Sequence, residues 1–337
     1  MQRLSIVITA ENPSMTWSTY LFSALLAMTT PTHATPPRHW TVIVGGATAD
    51  TSIYANAFFP QAIEIGVGDT VTWIFEGFHN VALLGGGAAP PFAVPEGDKM
   101  YWNPLILFPA GDQSYDGTGY HNSGLPGPDG RLSYTLTFTK PGRYSYICGI
   151  HSGMRGTVIV TDKAKGTPAA ALKRGRAEQA ATLAAGRARF AKLHVERHGT
   201  TFVVPLVGNS QQRYSVLRFT REPLVVPRGS TVTWAMRDTF EIHTVTFTSG
   251  EKPPEFVVPE PQSSGPPKVL LNPRALAPTT TTQYDGTGYV NSGMLFPPGN
   301  PAKLPSSFSL TFTTPGRYEY WCLIHAEAGQ RGTIVVR

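Results

Sequence analysis

The chain contains most of its own sequence twice. Gly68–Trp73 (GDTVTW) is matched by Gly229–Trp234 (GSTVTW), and Tyr115–Tyr120 (YDGTGY) recurs letter for letter at Tyr284–Tyr289. In both copies Asn-Ser-Gly follows one residue later. Pro141–Tyr144 (PGRY) returns as Pro315–Tyr318, and Arg155–Val160 (RGTVIV) as Arg331–Val336 (RGTIVV). Matched blocks in one order and at similar spacing mark a duplicated unit, and 337 residues suit two domains and a connector. The expected division is residues 35–162 and 199–337, with 163–198 between them.

Within each copy the pattern is that of strands. Ala62–Val67 alternates apolar and polar residues, and Gly68-Asp69 turns the chain into Thr70–Phe75. Leu132–Phe138 and Tyr144–Cys148 flank a Pro-Gly turn, which predicts a hairpin, and Thr157–Val160 closes the copy. Only 15% of residues are charged, while 34 Gly and 30 Pro supply turns, so the fold class expected is all-β: two Greek-key β-sandwiches. The Pro/Gly-rich stretches Leu84–Asp116 and Ser249–Asp285 are long loops inside this pattern.

The connector differs. Ala169–Leu193 is rich in Ala, Arg, Lys, Gln and Leu, which predicts a helix with Leu172, Ala180, Leu183 and Phe190 on its buried face. Gly175 and Gly186 are expected to weaken that helix by about 1 kcal/mol each relative to Ala. Between Asp162 and His198 nine Lys and Arg stand against three Asp and Glu, which accounts for the whole net charge of +6. The basic balance therefore describes a linker able to touch an anionic surface weakly, and not a nucleic-acid-binding face.

Each copy ends on a group of soft donors. Cys148, His151 and Met154 lie on one short segment with His79 upstream; Cys322, His325 and Gln330 lie on another with His243 upstream. Two imidazoles and one thiolate, with a weak axial thioether or amide, form the ligand set of a blue (type 1) copper site. Asn80 and Thr244, directly after the upstream histidines, are placed to hydrogen-bond the backbone around each thiolate. The alternative, a disulfide between Cys148 and Cys322, would have to join equivalent strands of two domains, and metal ligation is the favoured reading. His33, His39, His121, His194 and His198 have no such setting and are read as structural or surface residues.

On these motifs each copy resembles a cupredoxin of the plastocyanin and amicyanin group. The shared features are the GDTVTW strand, the His-Asn after it, the PGRY turn, and Cys-x-x-His leading into Gly-Thr-Val. The first copy has the short amicyanin spacing between Cys148 and Met154; the second has plastocyanin spacing, with Gln330 where that family usually carries Met, as in stellacyanin. The resemblance implies a soluble electron carrier with two type 1 coppers, which exchanges electrons with a redox partner protein. An axial amide oxygen is a harder donor than a thioether, so the second site is expected to have the lower potential.

Two other classes of function compete with this one. Two-domain copper oxidoreductases of the nitrite reductase and laccase kind bind further copper through extra His, usually including one beside the Cys. Here Ile147 and Gly149 flank Cys148, Trp321 and Leu323 flank Cys322, and no His-x-His pair exists. A copper storage or delivery protein usually offers runs of Met or Cys, and the seven Met are scattered. An electron carrier without catalytic residues is the reading that remains.

Tyr20–Met28 is a short apolar run followed by Thr32-His33-Ala34, a pattern that reads as a signal peptide over residues 1–34. It implies a periplasmic or extracellular protein, with a membrane anchor as the weaker alternative. No later stretch approaches the ~18 apolar residues of a membrane span.

Overall fold

The strand that opens with the duplicated GDTVTW motif is central to each of two β-sandwiches. Along Thr70–Phe75 every second side chain is buried, so Val71, Trp73 and Phe75 face the core. This strand runs parallel to His39–Val44 and antiparallel to Ser133–Phe138. Thr231–Arg237 lies in the same way between Thr201–Asn209 and Ser307–Phe312. Trp73 and Trp234 are fully buried. Each meets, edge-on, a tyrosine of the facing sheet: Tyr146 at 5.2 Å and Tyr320 at 5.1 Å between ring centroids. The computed structural model describes residues 36–126, 133–209, 211, 213–237, 241–300 and 302–337. The leader expected over residues 1–34 and His33 lie outside this set. None of the described helices is long and apolar enough to cross a membrane.

The facing sheet of the first sandwich holds Ala62–Gly66, Arg155–Thr161, Gly142–Ile147, Ala82–Leu83, His121–Ser123 and Pro109–Ala110 in that order. That of the second holds Leu224–Val226, Arg331–Val336, Gly316–Trp321, Thr246–Phe247 and Val290–Asn291. The hairpin predicted around Pro141-Gly142 is not formed: Ser133–Phe138 and Gly142–Ile147 belong to opposite sheets, so the turn carries the chain across the sandwich. Tyr144 fixes this crossing. Its hydroxyl donates to the Lys140 carbonyl at 2.9 Å, and its ring fills the space a side chain on Gly142 would need. The true hairpin is Gly142–Ile147 with Arg155–Thr161, and its loop is Cys148–Met154.

The two copies are joined by more than a connector. Ile53–Ala55 from the first copy pairs with Tyr214–Val216 and so extends a sheet of the second. The long Pro/Gly-rich stretches build a four-stranded sheet in the order Val257–Glu260, Lys268–Leu271, Lys99–Trp102, Ala93–Glu96. Lys99 and Tyr101 both donate to Glu260 across it, at 2.8 and 2.7 Å. Residues 37–337 form one compact unit.

The connector helix, Pro168–Ala191, starts on a Thr167 N-cap with proline in its first turn. It packs on the strands His39–Val44, Ile53–Ala55, Phe58–Phe59 and Tyr214–Val216. Its most buried line is Ala171, Gly175, Gln179, Thr182 and Gly186, and Ala180 is exposed. The apolar stripe expected from Leu172, Ala180, Leu183 and Phe190 is therefore displaced: Leu172, Leu183 and Phe190 flank the contact as half-buried residues. Close approach of the backbones is the reason. A Cβ on Gly175 would lie 2.7 Å from the Phe59 carbonyl, and one on Gly186 only 2.3 Å from Ile53. The glycines that weaken the helix locally let it seat on both copies.

Candidate metal centres

Cys148 follows directly on the strand Gly142–Ile147, and Met154 directly precedes Arg155–Thr161. The loop between them is closed at its neck by Cys148 N–H donating to the Met154 carbonyl at 3.0 Å, and turned by Met154 N–H donating to His151 at 3.1 Å. The second loop is two residues longer, yet closes identically, with Cys322 N–H donating to the Gln330 carbonyl at 3.0 Å. His79 and His243 come from connections rather than from strands proper, just ahead of Ala82–Leu83 and Thr246–Phe247.

The structure brings His79, Cys148 and His151 together, and His243, Cys322 and His325 together; within each group the donor atoms lie within 4.8 Å of one another. In the first, the two Nδ1 atoms are 2.9 Å apart, and Cys148 Sγ lies 3.9 Å from that of His79 and 3.5 Å from that of His151. In the second, Cys322 Sγ lies 3.8 Å from His243 Nδ1 and 3.3 Å from His325 Nδ1. Gln330 Oε1 sits 3.0 and 3.1 Å from those same two nitrogens, and Met154 is buried in the first core. Both cysteines are free and buried.

Burial sets the electrostatics. It holds His79 down at about 3 and His243 at about 4, and His151 and His325 well below the ordinary imidazole range. It pushes both thiols up to about 11. Neutral imidazoles therefore present their Nδ1 atoms to a buried sulfur that would ionise readily only beside a cation. That donor set suits a soft, monovalent or divalent metal.

Supporting residues hold the loops. Asn80 Oδ1 accepts from Gly149 N–H at 2.6 Å, and Thr244 Oγ1 from Leu323 N–H at 2.7 Å; Thr244 N–H also points at Cys322 Sγ, 3.4 Å away. Sequence reasoning assigned no role to Asn122 and Asn291, although the repeated Asn-Ser-Gly was the available signal. Asn122 accepts from Asn80 at 2.9 Å and donates to the carbonyls of Leu105, Ile106 and Phe108 around the short helix Pro104–Leu107. Asn291 repeats this on Arg274, Ala275 and Ala277, and accepts from Thr246. Behind His79 stand Gly45 and Gly77. A Cβ on Gly45 would come within 2.4 Å of His79 Nε2, and Gln179 of the connector helix donates to the Gly45 carbonyl at 2.9 Å.

Glu241 was also missed. It is buried, with Oε1 3.7 Å from His151 Nε2 and Oε2 3.4 Å from His325 Nε2. Burial pushes its carboxyl up to about 7, against hydrogen bonds from Ser215 and Asn56. His121 lies apart from both groups, stacked edge-on against Tyr115 with Nε2 3.1 Å from the Ser114 carbonyl.

Residues 47–161 match the family model of copper-binding proteins of the plastocyanin/azurin family. No curated protein sequence matches the chain. Similar solved structures are amicyanin variants. One, a Cu(I) form with methionine replaced by glutamine, is 22% identical, covers 44% of this chain and 88% of its own, and has a TM-score of 0.24. The oxidised state of a proline-to-alanine variant is 21% identical over 42% and 87%, with a TM-score of 0.25. A reduced Cu(I) form at pH 4 of a proline-to-glycine variant is 24% identical over 36% and 82%, with a TM-score of 0.23.

Proposed function

We propose, from a chain whose residues 47–161 belong to the plastocyanin/azurin copper-binding family, that the protein carries electrons through two type 1 copper centres, one per copy. His79, Cys148, His151 and Met154 would hold the first, and His243, Cys322, His325 and Gln330 the second. The observation that carries this reading is the pair of buried Cys/His/His groups at equivalent hairpin loops of two sandwiches. Bound copper supplies a one-electron couple between Cu(I) and Cu(II).

The chain's own residues supply the rest. The hairpin neck and the Asn80 or Thr244 bond hold each thiolate at one position, so little has to move on electron transfer. The apolar cores exclude water from the donor atoms. Exchange is with an external redox protein, in the periplasm or outside the cell.

Copper per chain, with visible and electron paramagnetic resonance spectra of the loaded protein, tests the proposal. Two coppers per chain, both with the intense visible band and narrow hyperfine splitting of a thiolate-bound type 1 site, are expected. One blue and one normal copper would restore the oxidoreductase alternative, and a single copper would make the second sandwich a scaffold.

A further inference from the structure

Glu241 breaks the repeat at a telling place. It stands two residues before His243, where the first copy has Gly77 two residues before His79. A Cβ at Gly77 would lie 2.8 Å from His79 Nε2, so the first copy has no room for a second carboxylate. The single carboxylate reaches both groups. One oxygen faces His151 Nε2 and the other His325 Nε2, at 3.7 and 3.4 Å. Each of these rings presents its other nitrogen, Nδ1, to a buried cysteine. Glu241 is anchored from both copies: Asn56 donates to Oε1, Ser215 bonds the carboxylate, and Asn56 also donates to Ser215 at 2.9 Å. The two candidate centres thus face each other through His151, Glu241 and His325, within one chain.

We infer that Glu241 is a positioning residue that couples the two centres, so that an electron passes between them inside the molecule along His151–Glu241–His325. The inference rests on the two-copper reading above. A carboxylate 3.7 and 3.4 Å from the two Nε2 edges, beyond a normal hydrogen bond, favours by its charge the ring tautomers protonated at Nε2. With copper bound, one centre would be oxidised by one electron and the other reduced by one, with no proton transferred to or from the imidazoles or Glu241. The second copy is then an internal relay for the first, between it and the external redox protein.

The test is rapid reduction of the fully oxidised, two-copper protein by a pulse-generated radical in less than stoichiometric amount, followed by absorbance and resonance spectra. In the wild type a re-equilibration between the centres is expected whose rate does not depend on protein concentration. In Glu241→Gln and Glu241→Leu, measured on molecules that carry two coppers, that fast phase is expected to be lost. An unchanged phase in either variant overturns the coupling and leaves the two-copper reading standing. Fewer than two coppers in the wild type overturns that reading, and the coupling with it. A wild-type measurement guards against variants that fail to fold: nitrogen NMR of the reduced, diamagnetic protein should show His151 and His325 protonated at Nε2. Protonation of either at Nδ1 overturns the inference.

Discussion

Gln330 Oε1 lies 3.0 Å from His243 Nδ1 and 3.1 Å from His325 Nδ1, between the two imidazoles of the second centre. The first centre has Met154 at the matching end of its loop. An amide oxygen favours Cu(II) more than a thioether does, so the second centre should have the lower potential. Gln330→Met is expected to raise the second potential, and Met154→Gln to lower the first. Redox titrations of each variant combined with Cys→Ser at the other centre assign the values. Equal or inverted potentials in the parent pair would sink the assignment.

Asn80 joins the Cys148 loop to the rest of the first sandwich through its bonds to Gly149 and Asn122. Removing its amide leaves Gly149 N–H and part of Asn122 buried without partners, which costs about 1–3 kcal/mol per group. Asn80→Ala should therefore lower the unfolding midpoint and broaden or shift the first centre's blue band, with the second centre unaffected. Asn122→Ala should do the same more weakly at the metal, since it acts one bond further out. Equal changes in both centres would argue against this local role.

The donor groups were legible because a duplicated chain prints each essential residue twice, and the alternation in Thr70–Phe75 marks its buried face directly. What stayed hidden belongs to contacts between the copies. Glu241 has no counterpart in the first copy, so comparing the copies gave it no weight, and its importance arises only when His151 and His325 meet across it. The pairing of Ile53–Ala55 with Tyr214–Val216 leaves no sequence signal either, because a three-residue edge strand reads like any short apolar run. The Pro-Gly turn at 141–142 was misread for a related reason. A turn motif shows that the chain reverses, and packing of Tyr144 decides whether it returns in the same sheet or the other.

Copper-free protein should lose stability in mild acid. Burial holds His79 at about 3 and His243 at about 4, and holds His151 and His325 low as well. The unfolded chain takes up protons near an ordinary imidazole value of about 6.5. Below that pH the unfolded state binds more protons, and stability falls as pH falls, by at most about 1.4 kcal/mol per pH unit for each ring. Glu241 opposes this: with its carboxyl pushed up to about 7, it withholds stability above that value and returns it as pH drops toward the ordinary carboxylate range. Four imidazoles outweigh one carboxylate. Thermal unfolding of the copper-free protein should show a midpoint that declines steadily from about pH 6.5 to 4. A flat profile would mean that the folded state accepts protons on these rings.

The connector helix offers a sharper contest between local and tertiary effects. By helix propensity alone, Gly175→Ala and Gly186→Ala should each stabilise by about 1 kcal/mol. Packing predicts the reverse, because the new methyl groups would lie 2.7 Å from the Phe59 backbone and 2.3 Å from Ile53. Overfilling a well-packed contact costs about 1–3 kcal/mol. Both should thus be net destabilising, Gly186→Ala no less than Gly175→Ala, because the Ile53 Cγ2 it meets sits on a branched, fully buried side chain. The helix also holds Gly45 through Gln179, and Gly45 backs the His79 ring, so displacement of the helix should reach the first centre. Chemical denaturation of both variants, with the blue band of each centre followed separately, checks the order and the coupling. Stabilisation by Gly175→Ala would show that the helix does not need its close seat on Phe59.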